Sequence, residues 1–248
     1  MRRWRLLIEY DGGGFSGWQR QENGPSVQAA LEDALFAYSG ERRLVQGAGR
    51  TDAGVHAAGQ VAHLDLERPS DAKTLRDAIN FHLRPAPVAV LSAEAASEDF
   101  HARFSATARH YRYRILNRRA PPVLDAGRVW WVKQPLDADA MAEAAALLVG
   151  RHDFTSFRAA DCQADSPLRT LDRLAVRRDG DFVTIEASAR SFLHHQVRNM
   201  AGTLSLVGLG RWRPRRVGEA LAAGDRSAAG PTAPPEGLCL TAVDYGER

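Results

Sequence analysis

Lysine is almost missing from this chain. Of its 33 lysines and arginines only Lys73 and Lys133 are lysine, which leaves 31 arginines. Arginine's planar fork suits phosphate and stacked bases better than an ammonium does, although a chain this rich in Ala and Gly also gains arginine from genomic base composition. Cysteine is scarce too. Cys162 and Cys239 lie far apart and suggest neither a disulfide framework nor a zinc site. No apolar run approaches the ~20 residues that span a bilayer. The start, MRRWRLLIEYDGG, joins basic residues to a short apolar run, and Glu9 and Asp11 break it too soon for a secretory leader. These absences lead to the expectation of a cytoplasmic protein that does not enter a membrane.

What is present is ordinary in bulk. The 248 residues allow one large domain or two small ones, each with its own core. With 44% apolar and 25% charged residues the chain falls among soluble globular proteins. Net charge is only +3, so the placement of the arginines says more than their sum.

Periodicity predicts a first strand over Arg3 to Tyr10, then a Gly-rich loop, DGGGFSGWQRQENGP. Gly12 to Gly17 match G-x-G-x-x-G, but a dinucleotide fingerprint opens its helix within the motif, and the next helix begins only at Ser26, after Pro25. Phe15, Trp18, Arg20 and Gln21 suit a nucleic acid strand better; a Trp packed over a turn explains them equally well. Ser26 caps a helix with Val27, Leu31, Ala34, Leu35 and Tyr38 on one face, stopped by Gly40. A strand near Arg43 to Gln46 and another over Gln60 to Leu66 follow. Asp71 caps a second helix through Leu75, Ala78, Ile79 and Leu83, ended by Pro85 and Pro87, and Val88 to Leu91 forms a fourth strand. The order is β-α-β-β-α-β, a ferredoxin-like unit.

The second half repeats that order. Its elements are a strand over Arg109 to Asn117, a helix over Leu136 to Gly150 capped at Asp137, and strands over Arg169 to Arg177 and Phe182 to Ala189 joined at Asp179-Gly180. A helix over His195 to Leu209, a short one opening at Pro214, and a strand over Leu238 to Tyr245 complete it. The expected fold is α/β (α+β): two ferredoxin- or RRM-like units packed into one pseudo-symmetric sheet with a central cleft. Their expected extents are 1–105, carrying the Asp52 loop, and 106–248, completing the cleft. Sheets of this kind bind RNA across an open face.

The chemistry centres on Gly47 to Leu66, GAGRTDAGVHAAGQVAHLDL, where Arg50, Thr51 and Asp52 lie between Gly47, Gly49 and Gly54. Asp and Gly are common turn formers, so a plain hairpin turn explains the stretch. It is also how a carboxylate is held at the lip of a cleft, with Arg50 able to keep it ionised. Adjacent His194 and His195 point ~100° apart on a helix and lack an evident third ligand, so they suit hydrogen bonding or RNA contact better than metal. Along 109–117, alternation puts Arg109, Tyr111 and Tyr113 on one face and Arg112 and Arg114 on the other. That is a stacking platform for bases or a half-buried strand with solvated arginines.

The chain resembles the TruA family of tRNA pseudouridine synthases. The resemblance is carried by YDGGGFSGWQRQ (10–21), SVQAALEDAL (26–35), GAGRTDAGVHAAGQVAHL (47–64), DFHARFSATARHYRYRI (99–115), DFTSFRA (153–159), FLHHQVRNMAGTL (192–204) and GLCLTAVDY (237–245), in the family's order over nearly the whole chain. It implies isomerisation of uridine to pseudouridine at positions 38, 39 and 40 of the tRNA anticodon stem-loop, without cofactor or metal, by a homodimer. Carried over motif by motif, Asp52 is the nucleophile, Arg50 compensates its charge, Tyr111 stacks on the flipped uracil, and Leu238 is an apolar wall. Arg20, Arg103, Arg109, Arg158 and Arg198 are candidate RNA contacts. One departure is Cys239, where relatives often place an aromatic residue. The competing readings are a non-catalytic protein of paired RNA-binding units, an enzyme using nucleotide at the Gly12 to Gly17 loop, and a synthase for another RNA.

Overall fold

The computed structural model describes residues 1–246. The chain divides into two compact units, one of residues 1–107 with the segment from Cys239 onward, the other of residues 108–238. The sequence suggests a division into 1–105 and 106–248; by compactness the segment from Cys239 onward groups with the first unit. Both units mix helices with mostly antiparallel strands.

In the first unit β1 (Arg2–Tyr10) lies between β3 (His56–Leu66) and β4 (Val88–Ala95), antiparallel to both. Alternate residues Trp4, Leu6, Ile8 and Tyr10 of β1 are buried. The helices α1 (Val27–Ser39) and α2 (Ala72–Leu83) pack together and bury Val27, Leu31 and Leu35, and Leu75, Ile79 and Leu83. Each such side chain removed from water contributes about 1.5–3 kcal/mol. The expected caps form. Ser26 accepts from the Ala29 amide, Asp71 from the Thr74 amide, and Gly40 is left-handed at the end of α1.

The second strand is shorter and later than expected. β2 is only Gln46–Gly47, paired to β3 at His63 and Ala62. β3 starts four residues earlier than its apolar alternation implied, and it is buried on both faces, so alternation could not mark its start. β10 (Leu238–Tyr245) runs parallel to β3, with Cys239 opposite His56. Residues 97–105 fold back onto this sheet. Arg3 holds the Asp65 carboxylate at 2.7–2.8 Å and donates to the carbonyls of Phe100, at 2.9 Å, and Glu98. The Ala102 amide donates to His63 Nδ1 at 3.1 Å.

The second unit has the strand order β5 (Ala106–Asn117), β9 (Phe182–Ala189), β8 (Leu168–Asp179), β7 (Gly150–Asp153), all antiparallel, with β6 (Trp130–Val132) parallel beside β5. Gly180, left-handed, turns the β8–β9 hairpin as its Asp-Gly pair predicts. Neither β6 nor β7 was expected; both are too short for periodicity to show. Gly150 opens β7, so α3 (Ala138–Ala146) ends before the predicted limit. α4 (Gln196–Gly208) is buried nearly all round, and its polar Asn199, Thr203 and Ser205 bond to backbone carbonyls. α5 (Arg215–Ala223) packs near α3. Among the described residues no helix is long and apolar enough to cross a membrane.

Candidate active site

The Asp52 loop joins β2 to β3, and the Gly-rich stretch after β1 holds it in place. Asp11 accepts from the Gly13 amide and starts a tight turn over Gly12–Gly14. The chain then passes beneath the loop. The Trp18 amide donates to the Thr51 carbonyl at 3.0 Å, and the Gly54 amide to the Phe15 carbonyl at 3.3 Å. Gly17, at φ 102°, makes the approach possible, since a Cβ there would stand 2.7 Å from the Thr51 oxygen. The Gly12 amide donates to His56 Nδ1 at 3.0 Å and ties the start of β3 to the same turn.

Side chains lock the loop from the other side. The Tyr10 hydroxyl and Thr51 Oγ1 are 2.8 Å apart in a buried pair. Gln60 Nε2 donates to the Gly49 carbonyl at 2.8 Å. Asp52 itself opens a β-turn: its carbonyl accepts from the Val55 amide at 3.1 Å, with Gly54 left-handed at the third position (φ 78°). The turn that Asp and Gly imply is therefore present. The Asp52 side chain is half-buried. Arg50 is exposed and makes no hydrogen bond or ion pair among the described residues, so it is not paired with Asp52 here.

The other candidates fall into two kinds. Tyr111 is half-buried on β5 opposite Ala187 of β9, with its ring edge-on to Phe192 (centroids 5.2 Å, 90°). Its neighbour on the same face, Tyr113, is core: its buried hydroxyl donates to the Pro234 carbonyl at 2.8 Å, and burial pushes its pKa up. Arg109 shares that face and is buried, donating to the Arg190 carbonyl at 2.5 Å. Arg198 donates to the Ala233 carbonyl at 2.8 Å. Arg20 spans Glu32 and Asp33 of α1, each at 2.7 Å, and reaches the Ala29 carbonyl. Leu238 is buried at the start of β10. Arg103 is exposed beside the Phe104 ring, and Arg158 is half-exposed after a tight turn at Thr155–Phe157.

Residue reasoning missed the supports: Tyr10, Thr51 and Gln60 around Asp52, and Phe192 against Tyr111. Tyr10 and Phe192 lie within recognisable motif stretches, which was the available signal. Which atoms meet depends on the sheet register.

A family model described as tRNA pseudouridine synthase matches residues 6–105 and 144–246. The chain belongs to that family; pseudouridine synthases are isomerases, and this protein is an isomerase of tRNA modification. Its relatives carry a more particular name. Proteins called tRNA pseudouridine synthase A are 63% identical in Rhodospirillum rubrum, over 99% of this chain and 88% of that protein, and 66% identical in Acidiphilium cryptum, over 99% and 97%. The one from Paramagnetospirillum magneticum is 60% identical over 99% and 96%. A crystal structure of a Cbf5-Nop10-Gar1 complex aligns with 96% of this chain and 48% of its own at 12% identity and a TM-score of 0.37, too low to indicate a shared fold.

Proposed function

We propose that the protein converts uridine to pseudouridine at positions 38, 39 and 40 of the tRNA anticodon stem-loop, with Asp52 as nucleophile toward a flipped-out base. The observation that carries the reading is the loop geometry: a half-buried carboxylate follows Thr51, whose hydroxyl and carbonyl are both bonded. Such rigidity costs conformational freedom that a plain surface turn has no reason to give up.

The chemistry follows from the substrate. The carboxylate attacks either ribose C1′ or uracil C6, and the glycosidic bond breaks. The uracil turns and C5 bonds to C1′; on the C1′ route this displaces the carboxylate and loss of the C5 proton then completes the product, whereas on the C6 route loss of the C5 proton expels the carboxylate from C6. Extruding the base costs a few kcal/mol. Arg50, exposed next to the loop, fills the space the base leaves and offsets the added charge. Tyr111 stacks on the uracil and assists removal of the C5 proton, and Leu238 supplies an apolar wall. Arg103 and Arg158 are the RNA contacts best supported by exposure. Arg20, Arg109 and Arg198 contribute through whatever donor capacity their backbone and carboxylate partners leave. The full motif set supports a cytoplasmic homodimer in which one subunit grips the tRNA body while the other holds the target.

The test is tritium release from tRNA labelled at uridine C5. The wild type releases tritium. Asp52→Asn binds the same tRNA and releases none. Release by Asp52→Asn would remove it as nucleophile, and tight tRNA binding without release by the wild type would favour a binding protein.

A further inference from the structure

The loop bearing Asp52 hangs on a hydroxyl pair to which the proposed chemistry gives no part. Tyr10 and Thr51 are 4% and 6% exposed, and their hydroxyl oxygens lie 2.8 Å apart. Gln60 Nε2 sits 3.5 Å from the same phenol while bonding the Gly49 carbonyl, and the Trp18 amide holds the Thr51 carbonyl. That carbonyl belongs to the peptide joining Thr51 to Asp52. With Oγ1 and the carbonyl both held, the peptide plane cannot rotate, and the direction in which the Asp52 side chain leaves the backbone is set.

Packing alone does not call for these hydroxyls. The Tyr10 ring lies against Trp18, with centroids 6.1 Å apart, and a phenylalanine keeps that contact. A valine at position 51 fills the volume of threonine. Burying two hydroxyls costs free energy unless they bond each other, so the pair is poor value for stability and good value for geometry.

We infer that Tyr10 is a positioning residue for the isomerisation, acting through the Thr51 hydroxyl to orient Asp52. The inference rests on the reading of Asp52 as nucleophile. Burial pushes the Tyr10 phenol's pKa up, so it stays protonated at neutral pH and holds a hydrogen bond without exchanging a proton.

The test uses the full chain with Tyr10→Phe, Thr51→Val, the two together, Thr51→Ser, and Asp52→Asn in parallel. Three quantities are read: single-turnover conversion of unmodified tRNA at saturating enzyme, tRNA Kd, and melting temperature. Misplacement of a reacting group by ~1 Å costs up to about 100-fold. Tyr10→Phe and Thr51→Val are therefore each expected to slow conversion by about 10- to 100-fold, with Kd changed less than about twofold. The double variant is no slower than the slower single, since both break one bond. Thr51→Ser recovers most of what Thr51→Val loses, and this pair carries the test if Tyr10→Phe fails to fold. The proposal is overturned if Tyr10→Phe converts at the wild-type rate while Asp52→Asn is inactive. It is equally overturned if rate and affinity fall together with melting temperature, which marks a role in stability alone. Conversion by Asp52→Asn would remove the nucleophile reading, and the role of Tyr10 with it.

Discussion

Asp52 sits in a loop whose neighbours are hydrogen-bonded on both sides, and one of the close approaches beneath it is at Gly17. There a side chain would meet both a left-handed backbone and the Thr51 carbonyl at 2.7 Å. Gly17→Ala is expected to cost about 1–3 kcal/mol, measured as a lower urea midpoint, and to slow conversion as the loop is pushed outward. A variant with wild-type stability and rate would show that the loop yields. Residue types alone left Asp52 between a plain turn and a held carboxylate, and the ordered motifs over nearly the whole chain singled it out. They were silent on whom Arg20 and Arg109 serve. Both looked like free cations, yet Arg20 is engaged by Glu32 and Asp33, and Arg109 by a carbonyl 81 positions away. Such pairings are fixed by tertiary placement, which spacing along the chain does not encode.

Elements were legible where local chemistry punctuates them. Ser26, Asp71, Asp137 and Gly40 mark helix ends with side-chain or left-handed caps, and each does so in the structure. The β8–β9 hairpin follows from Asp179-Gly180. Elements whose existence depends on a partner strand were not legible: β2 at two residues, β6 at three and β7 at four are too short to carry a period of their own. α4 showed one apolar face but is enclosed on all sides, because its polar residues find carbonyls within the unit. A cap remote from the loop isolates stability from chemistry. Asp137 accepts from the Ala140 amide at 2.9 Å at the start of α3. Asp137→Ala is expected to lower stability by about 1 kcal/mol in urea titration, with conversion below the transition unchanged. A drop in rate there would tie α3 to the active loop.

For the molecule as a whole, the buried His63 couples folding to pH. Burial first, then the charges of His101 and Arg3, lower its pKa from 6.5 to about 4, while Asp65 opposes them. The native chain thus keeps His63 neutral where the unfolded chain takes up a proton near 6.5. Its contribution to stability is complete above pH 6.5, declines as pH falls toward about 4, and is level below that. Urea midpoints between pH 4.5 and 7.5 should fall with acid in the wild type and fall less in His63→Gln; an unchanged slope would assign the effect to other groups. The parallel pairing of β10 with β3 has a different bearing, on the timing of synthesis. His56 and Ala57 directly follow the Asp52 loop, and their neighbours Cys239 and Leu240 lie far along the chain. A ribosome adding about 5–20 residues per second leaves that strand edge open for on the order of ten seconds after the rest of the first unit has emerged. During that interval the edge is a template for pairing with the wrong strand, and the strand that follows the Asp52 loop still lacks its parallel partner.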